Sequence, residues 1–387
     1  MRKTLIAAGL LLTAPALAAC TDNSTGDAAS GDDRAFTVAS TDDACQVSSD
    51  KAPAGALKFE VTNSGSQVTE FYLLAEDGLR IVGEVENIGP GVSRSLTVKA
   101  PAGDYYTACK PGMKGDGIRN AFTVTASKDG EKQLDASDQQ LVDDALAGYK
   151  LYVRDQSAQL LEKTTEFVKL YKEGKDDEAR ALYPEARTHW ERIETVAESF
   201  GDLDPKMDLR EADLEPGAEW TGWHLLEKDL WPADAGKYRA LTPEQRATYA
   251  DDLLANTTKL NDKIQDLDYT VDQLANGSRG LLEEVAAGKV TGEEEFWSHT
   301  DLWDFQANVD GARVAFEGVE PIVKKNDPDL ADELTTRFDD LQVLLDAQRE
   351  GDGFKLYTDV SKADIKALSD AVNALAEPLS RLTAAVV

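Results

Sequence analysis

From residue 35 to about 127 apolar and polar positions alternate, the period of strands with one buried face. "ALKFEVTN" sets Leu57, Phe59 and Val61 on one side. "AFTVAS", "EFYLLAE", "RIVGEVENI", "SRSLTVKA", "GDYYTAC" and "NAFTVTA" complete a set of seven short stretches separated by Gly, Pro, Asn or Asp. Strands at that spacing predict a β-sandwich. From about residue 135 the period lengthens. "DDALAGYKLYVRDQSAQLLEKTTEFVKLY" repeats its apolar residues three and four apart, as an amphipathic helix does. Further helices are expected over 176–200, 216–230, 243–265, 268–287, 298–324, 329–349 and 359–384. Thr242 before Pro243, with Gln245 reaching back, and Asp327 before Pro328 mark two helix starts. No strand pattern interrupts this half. The expected order is therefore a β-sandwich over 35–127, a linker within "ASKDGEKQLDASDQQ" and a helical bundle over 135–387.

The N-terminus changes the picture of where the chain works. "MRK" followed by "TLIAAGLLLTAPALAA" predicts a signal peptide over 1–19, too short and Ala-rich for a membrane span. "LAAC", Leu17 to Cys20, resembles the lipobox of bacterial lipoproteins, which implies cleavage before Cys20 and lipidation of its thiol. An ordinary secretory signal cleaved nearby is the alternative. Residues 20–34 are small, polar and acidic, and are expected to form a flexible tether. Cys45 and Cys109 then remain, and outside the cytosol such a pair forms a disulfide or serves a metal.

Charge narrows the partners. Asp plus Glu outnumber Lys plus Arg by 72 to 41, for a formal net charge of −31. That field repels nucleic acid and anionic lipid and concentrates cations, though solubility alone also selects acidic surfaces.

The scarce residues cluster. All three histidines (189, 224, 299) and all six tryptophans lie between 189 and 303. In "EWTGWHLLEKDLW", His224 and Glu227 stand three apart and share a helix face, a geometry that bundle metal sites use. Gly222 permits close backbone approach there. Trp220, Trp223 and Trp231 are expected to pack the helix rather than touch metal. A histidine with a partnering glutamate is the bland alternative, because a single H-x-x-E is common by chance.

The neighbouring sequence adds a resemblance. "GWHLLEKDLW" resembles the GxHxxE signature of the imelysin-like family. "ARTHWERIETVAESFGDLDPKMDLREADL" and "TGEEEFWSHTDLWDFQANVDGA" look like other marked stretches of the EfeO-type iron-uptake components. Those proteins join a cupredoxin-like domain to an imelysin-like helical domain, the order expected here. The resemblance implies iron, Fe(II) or Fe(III), held by His224, Glu227 and nearby carboxylates. Glu194 and Asp208 are the first choices for those, followed by Glu191 and Asp301, since iron takes imidazole and oxygen donors. Zinc is a possible substitute. The family is also associated with metallopeptidases. An inverzincin would need histidine where "HLLEK" has Lys228, which leaves a zinc peptidase using His224, Glu227 and a distant His189 or His299, with Glu191 as base, as the rival reading.

In the β half, Cys109 and Met113 are spaced as in a blue-copper loop, but no histidine precedes residue 189. A two-histidine copper site is therefore excluded. Cys45, Glu70, Glu84, Cys109 and Met113 remain as donors, and the resemblance implies copper or iron there. A disulfide with Met113 filling the core is the competing expectation. The resemblance also implies a membrane iron permease and a secreted haem peroxidase as partners. It points to binding and transfer rather than catalysis, on the extracytoplasmic side, at the cell surface or in the periplasm.

Overall fold

The computed structural model describes residues 33–78, 81–115, 117–127, 136–214, 217–233 and 235–387. The expected signal peptide and Cys20 lie outside these residues. All seven expected strands form: β1 (Ala35–Ser40), β4 (Gly55–Asn63), β5 (Thr69–Leu74), β6 (Ile81–Ile88), β7 (Ser93–Ala100), β8 (Gly103–Cys109) and β9 (Ile118–Thr125). Two three-residue strands were not expected, β2 (Cys45–Val47) and β3 (Lys51–Pro53). One sheet has the order β2-β1-β4-β7 and the other β3-β9-β8-β5-β6. Between them Leu57, Phe59 and Val61 are fully buried, as their alternation predicts. Phe59 packs against Phe36, Phe71 and Phe122 with ring centroids 5.1 to 5.7 Å apart.

Cys45 and Cys109 form a disulfide that ties β2 in one sheet to β8 in the other. This corrects the expectation of thiolate ligands at Cys45 and Cys109. Both sulfurs are consumed in the bond, and a bonded sulfur cannot supply the thiolate that copper or iron would take. Met113 is not core filler either: it is 39% exposed.

The second half is helical: α1 (Ala136–Lys172), α2 (Asp176–Glu191), α3 (Leu203–Asp208), α4 (Trp223–Leu230), α5 (Pro243–Asp266), α6 (Val271–Ala287), α7 (Asp301–Asn326), α8 (Pro328–Asp346), α9 (Lys362–Leu379) and α10 (Leu382–Val386). A two-residue-per-strand hairpin, β10 (Arg349–Glu350) with β11 (Gly353–Phe354), is the one departure from all-helix among the described residues. Thr242 and Gln245 form the expected reciprocal cap, and Asp327 accepts from the Leu330 N–H.

Three expected helices are cut, each at a backbone feature that periodicity does not register. The 176–200 helix ends at Glu191 and tightens into 3-10 turns over Glu194–Phe200 that stop at Gly201, φ 70°. The 216–230 helix begins only at Trp223, after Gly222 with φ 90°. The 298–324 helix begins at Asp301, after His299 with φ 58°.

Arg34–Val387 form one compact unit, so sandwich and bundle are fixed to each other. Helix α6 lies along strand β7. Asp272 accepts from the Lys99 N–H at 2.9 Å, Asn276 donates to the Thr97 carbonyl at 2.9 Å, and Arg279 donates to the Ser95 carbonyl. Across the same junction the Glu84 and Glu198 carboxyls share a hydrogen bond. Burial, then neighbouring Glu86, pushes Glu84 well above its ordinary range, and burial raises Glu198 to about 7.

Candidate metal centre

Helix α4 starts against the last turn of α3. A Cβ on Gly222 would lie 2.2 Å from the Met207 carbonyl oxygen and 2.9 Å from that of Lys206. Only glycine allows this approach, and the approach sets Asp208, the last residue of α3, beside His224 in the first turn of α4. The segment before α7 then wraps α4. The backbone N–H groups of Trp297 and Ser298 donate to Glu227 Oε1 at 2.9 and 2.7 Å, which brings Glu294 over the imidazole.

His224 is 1% exposed. Its Nδ1 meets Glu227 Oε2 at 3.2 Å. Its Nε2 has no hydrogen-bond partner and faces Asp208 Oδ1 at 3.5 Å and Glu294 Oε1 at 3.7 Å. These three donor atoms lie within 4.8 Å of one another. Bonds of about 2.0–2.2 Å to a first-row ion put adjacent donors roughly 3–3.5 Å apart, so the set needs little contraction. Burial and Arg187 push the ring's pKa down, but Glu227, Glu294 and Asp208 outweigh them and raise it to about 10. The site is thus built for positive charge.

Two basic side chains hold the surrounding acids. Arg187, fully buried on α2, ion-pairs with Glu191 and Asp208, meets Glu295 at 2.6 Å and Asp304 at 3.3 Å, and lies 3.8 Å from Glu294. Lys289, in the 3-10 turn Lys289–Thr291, reaches Glu191 at 2.6 Å and Glu194 at 2.8 Å. Burial opposes ionisation of Glu294, but Lys289 and His224 hold its pKa well below the carboxylate range. For Glu194, burial and neighbouring Glu191 win and raise it. A cleft of about 440 Å³ leads to these groups, with Glu86 and Met113 of the sandwich on one rim and Asp208, Lys289 and Glu294 on the other.

Of the residues expected from sequence, His224, Glu227 and Asp208 come together. Glu191 and Glu194 sit one layer away, taken up by Lys289 and by Asn308, whose Nδ2 donates to both at 2.9 Å. Asp301 accepts from the Glu295 N–H at 3.1 Å and so shapes the wrapping segment. In the sandwich, Glu70 accepts from the Tyr72 hydroxyl and Glu84 pairs with Glu198, while Met113 lines the cleft, which neither glutamate lines. Glu294, Arg187 and Lys289 were missed. The run "TGEEEFW" held the signal for Glu294, but nothing in it marks which glutamate turns inward. Trp223 and Trp231 pack on Tyr183, and Trp220 on Trp297, as expected. Trp190 was missed too: its Nε1 donates to Asp208 Oδ2 at 2.9 Å and holds that carboxylate in place.

Neither remaining histidine joins an ion-sized group among the described residues. His189 bonds Gln156 at 2.9 Å, and burial, then Arg192, lowers its pKa to about 4. Unfolded, the ring titrates near 6.5, so between pH 6.5 and 4 the unfolded chain binds a proton that the folded chain refuses. Stability is lost through that window as pH falls. His189→Gln removes this increment, so its melting temperature will fall less than the wild type's between pH 7 and 5 in calorimetry.

Comparison with known proteins fits this architecture. The Imelysin family model matches residues 145–382 and the Cupredoxin-like domain model residues 6–124. The chain is 35% identical over 351 residues, 89% of each chain, to "Iron uptake system component EfeO" of Escherichia coli O157:H7. It is 34% identical over the same span to the proteins of that name from Escherichia coli strain K12 and Shigella flexneri. The chain belongs to the EfeO family. In this EfeO-family chain the imelysin part supplies the acid-lined histidine, and the cupredoxin-like part supplies one rim of the cleft that Asp208 and Glu294 line.

Proposed function

We propose that this chain is the cation-capturing component of an iron-uptake system, with iron bound by His224 Nε2, Asp208 and Glu294. The observation that carries this reading is a fully buried imidazole nitrogen with no hydrogen-bond partner, facing two carboxylates, Asp208 and Glu294, that also line an acidic cleft. One imidazole with carboxylates suits Fe(II), while the surplus of oxygen donors suits Fe(III). Zinc would compete for the same donors. Glu227 acts through the ring: gripped by two backbone N–H groups, it fixes Nδ1 and points Nε2 at the ion. The lone histidine gives no support to the zinc-peptidase reading, which needs a distant second one.

The iron-uptake names of the relatives support the choice of ion. No described helix is long and apolar enough to cross a membrane. We place the chain on the extracytoplasmic side, anchored through a lipid on Cys20, handing iron to a membrane permease with a haem peroxidase as a further partner. The disulfide fits that compartment. Without thiolates, copper in the sandwich would depend on Glu70, Glu84 and Met113.

The test is anaerobic Fe(II) titration calorimetry on chelator-stripped protein. One ion per chain is expected. His224→Ala should weaken binding about 100-fold and Glu227→Gln by roughly 10–100-fold, the usual effect of losing a residue that orients a ligand. A wild type that takes up neither Fe(II) nor Fe(III) ends the reading.

A further inference from the structure

We infer that Lys289 is a tethered competitor for the captured cation and sets how readily the ion leaves. This rests on the proposed binding site at His224. Lys289 is 4% exposed, and its ammonium sits where an ion would be welcome. Glu191 Oε2 lies 2.6 Å from Nζ and Glu194 Oε2 2.8 Å. The third carboxylate in reach, Glu294 Oε1 at 3.9 Å, is the same oxygen that faces His224 Nε2 at 3.7 Å. An ion bridging His224 and Glu294 therefore shares an oxygen's field with a fixed ammonium. Lys289 stays charged: burial pulls its pKa down, but Glu191 and Glu194 more than offset it.

The backbone suits a competitor. Lys289 opens a single 3-10 turn between Gly288 and Gly292, and the turn borders the cleft through which an ion would pass. Its far side is pinned by the Tyr357 hydroxyl, which donates to the Val290 carbonyl. The turn is thus held on its far side, where Val290 is also buried, with the ammonium on the cleft side.

A lysine that merely neutralises buried acids predicts that its loss weakens both fold and binding. A competitor predicts the opposite sign for binding. Lys289→Met should bind Fe(II) at least about tenfold tighter, since a unit charge within several ångströms of a divalent ion is worth about 1.4 kcal/mol or more even at high effective dielectric. The gain should appear as slower release to a ferrous chelator in stopped flow, and Lys289→Arg should stay near wild type. Should Lys289→Met not fold, Lys289→Met with Glu194→Gln removes the ammonium together with one of its two nearest carboxyl partners and is compared with Glu194→Gln alone. About tenfold tighter binding of the double variant supports the inference. Equal or weaker binding, with wild type binding normally, overturns it and leaves the capture site standing. No binding by wild type or either Lys289 variant overturns both.

Discussion

Arg187→Met will cost the folded chain about 3–5 kcal/mol, the usual result of stripping one partner from a buried ion pair. Here one guanidinium faces five carboxylates, Glu191, Asp208, Glu294, Glu295 and Asp304, with no solvent to replace it. At about 2–4 °C per kcal/mol for a domain of this size, the melting temperature should drop by about 10 °C. The loss should also depend on pH with a definite sign. Burial and then Glu227 already raise Glu295, while Asp304 is raised by burial despite Arg187. Without Arg187 both rise further, so the folded variant holds protons that the unfolded chain releases. Its deficit is therefore larger at pH 8 than at pH 5. Arg187→Lys keeps the charge but not the planar fork, and should fall between. Thermal melts at both pH values check this, and a Met variant melting within 2 °C of wild type would sink the idea that this arginine organises the site.

Gly222→Ala should weaken cation capture about 100-fold or more while leaving a largely folded chain. Two effects add. A φ of 90° strains any residue with a Cβ by about 1–3 kcal/mol. The new methyl also cannot occupy a point 2.2 Å from the Met207 oxygen, so α3 must move away from α4 and take Asp208 with it. Gly217 separates the effects: its φ is also 90°, but a Cβ there meets nothing within 4 Å. Gly217→Ala should therefore lower stability alone. Gly222→Ala should lower Fe(II) affinity by about 100-fold or more in the same titration, in line with the sensitivity of a first shell to its supports. Similar affinities for the two variants would show that the α3–α4 approach does not set the site.

What the sequence disclosed follows from what periodicity can carry. Strand β4 and helix α1 each bury one face, so alternation and three-four spacing reported them. His224 and Glu227 were legible because both sit on one short helix at a fixed spacing. Arg187 and Glu191 have the same kind of spacing, but an i,i+4 ion pair on an acidic chain reads as a solvated face, whereas theirs is fully buried. Glu294 was hidden because its orientation comes from two backbone N–H groups gripping a side chain 70 and 71 residues away. The end of α2 at Glu191 escaped for a similar reason: the apolar pattern runs on through Val196 and Phe200, which remain buried inside the tighter turns.

Strand β7 is the edge of its sheet, and α6 holds its main chain at Ser95, Thr97 and Lys99, with a side-chain ion pair between Arg94 and Glu283 at 2.5 Å beside them. The bundle therefore works as a guard against misassociation. Severed from residues 271–287, the sandwich would present a bare hydrogen-bonding edge ready to pair with a second copy. Expressed alone it should self-associate, and at the natural junction the edge stays covered so long as α6 keeps Asp272, Asn276 and Arg279.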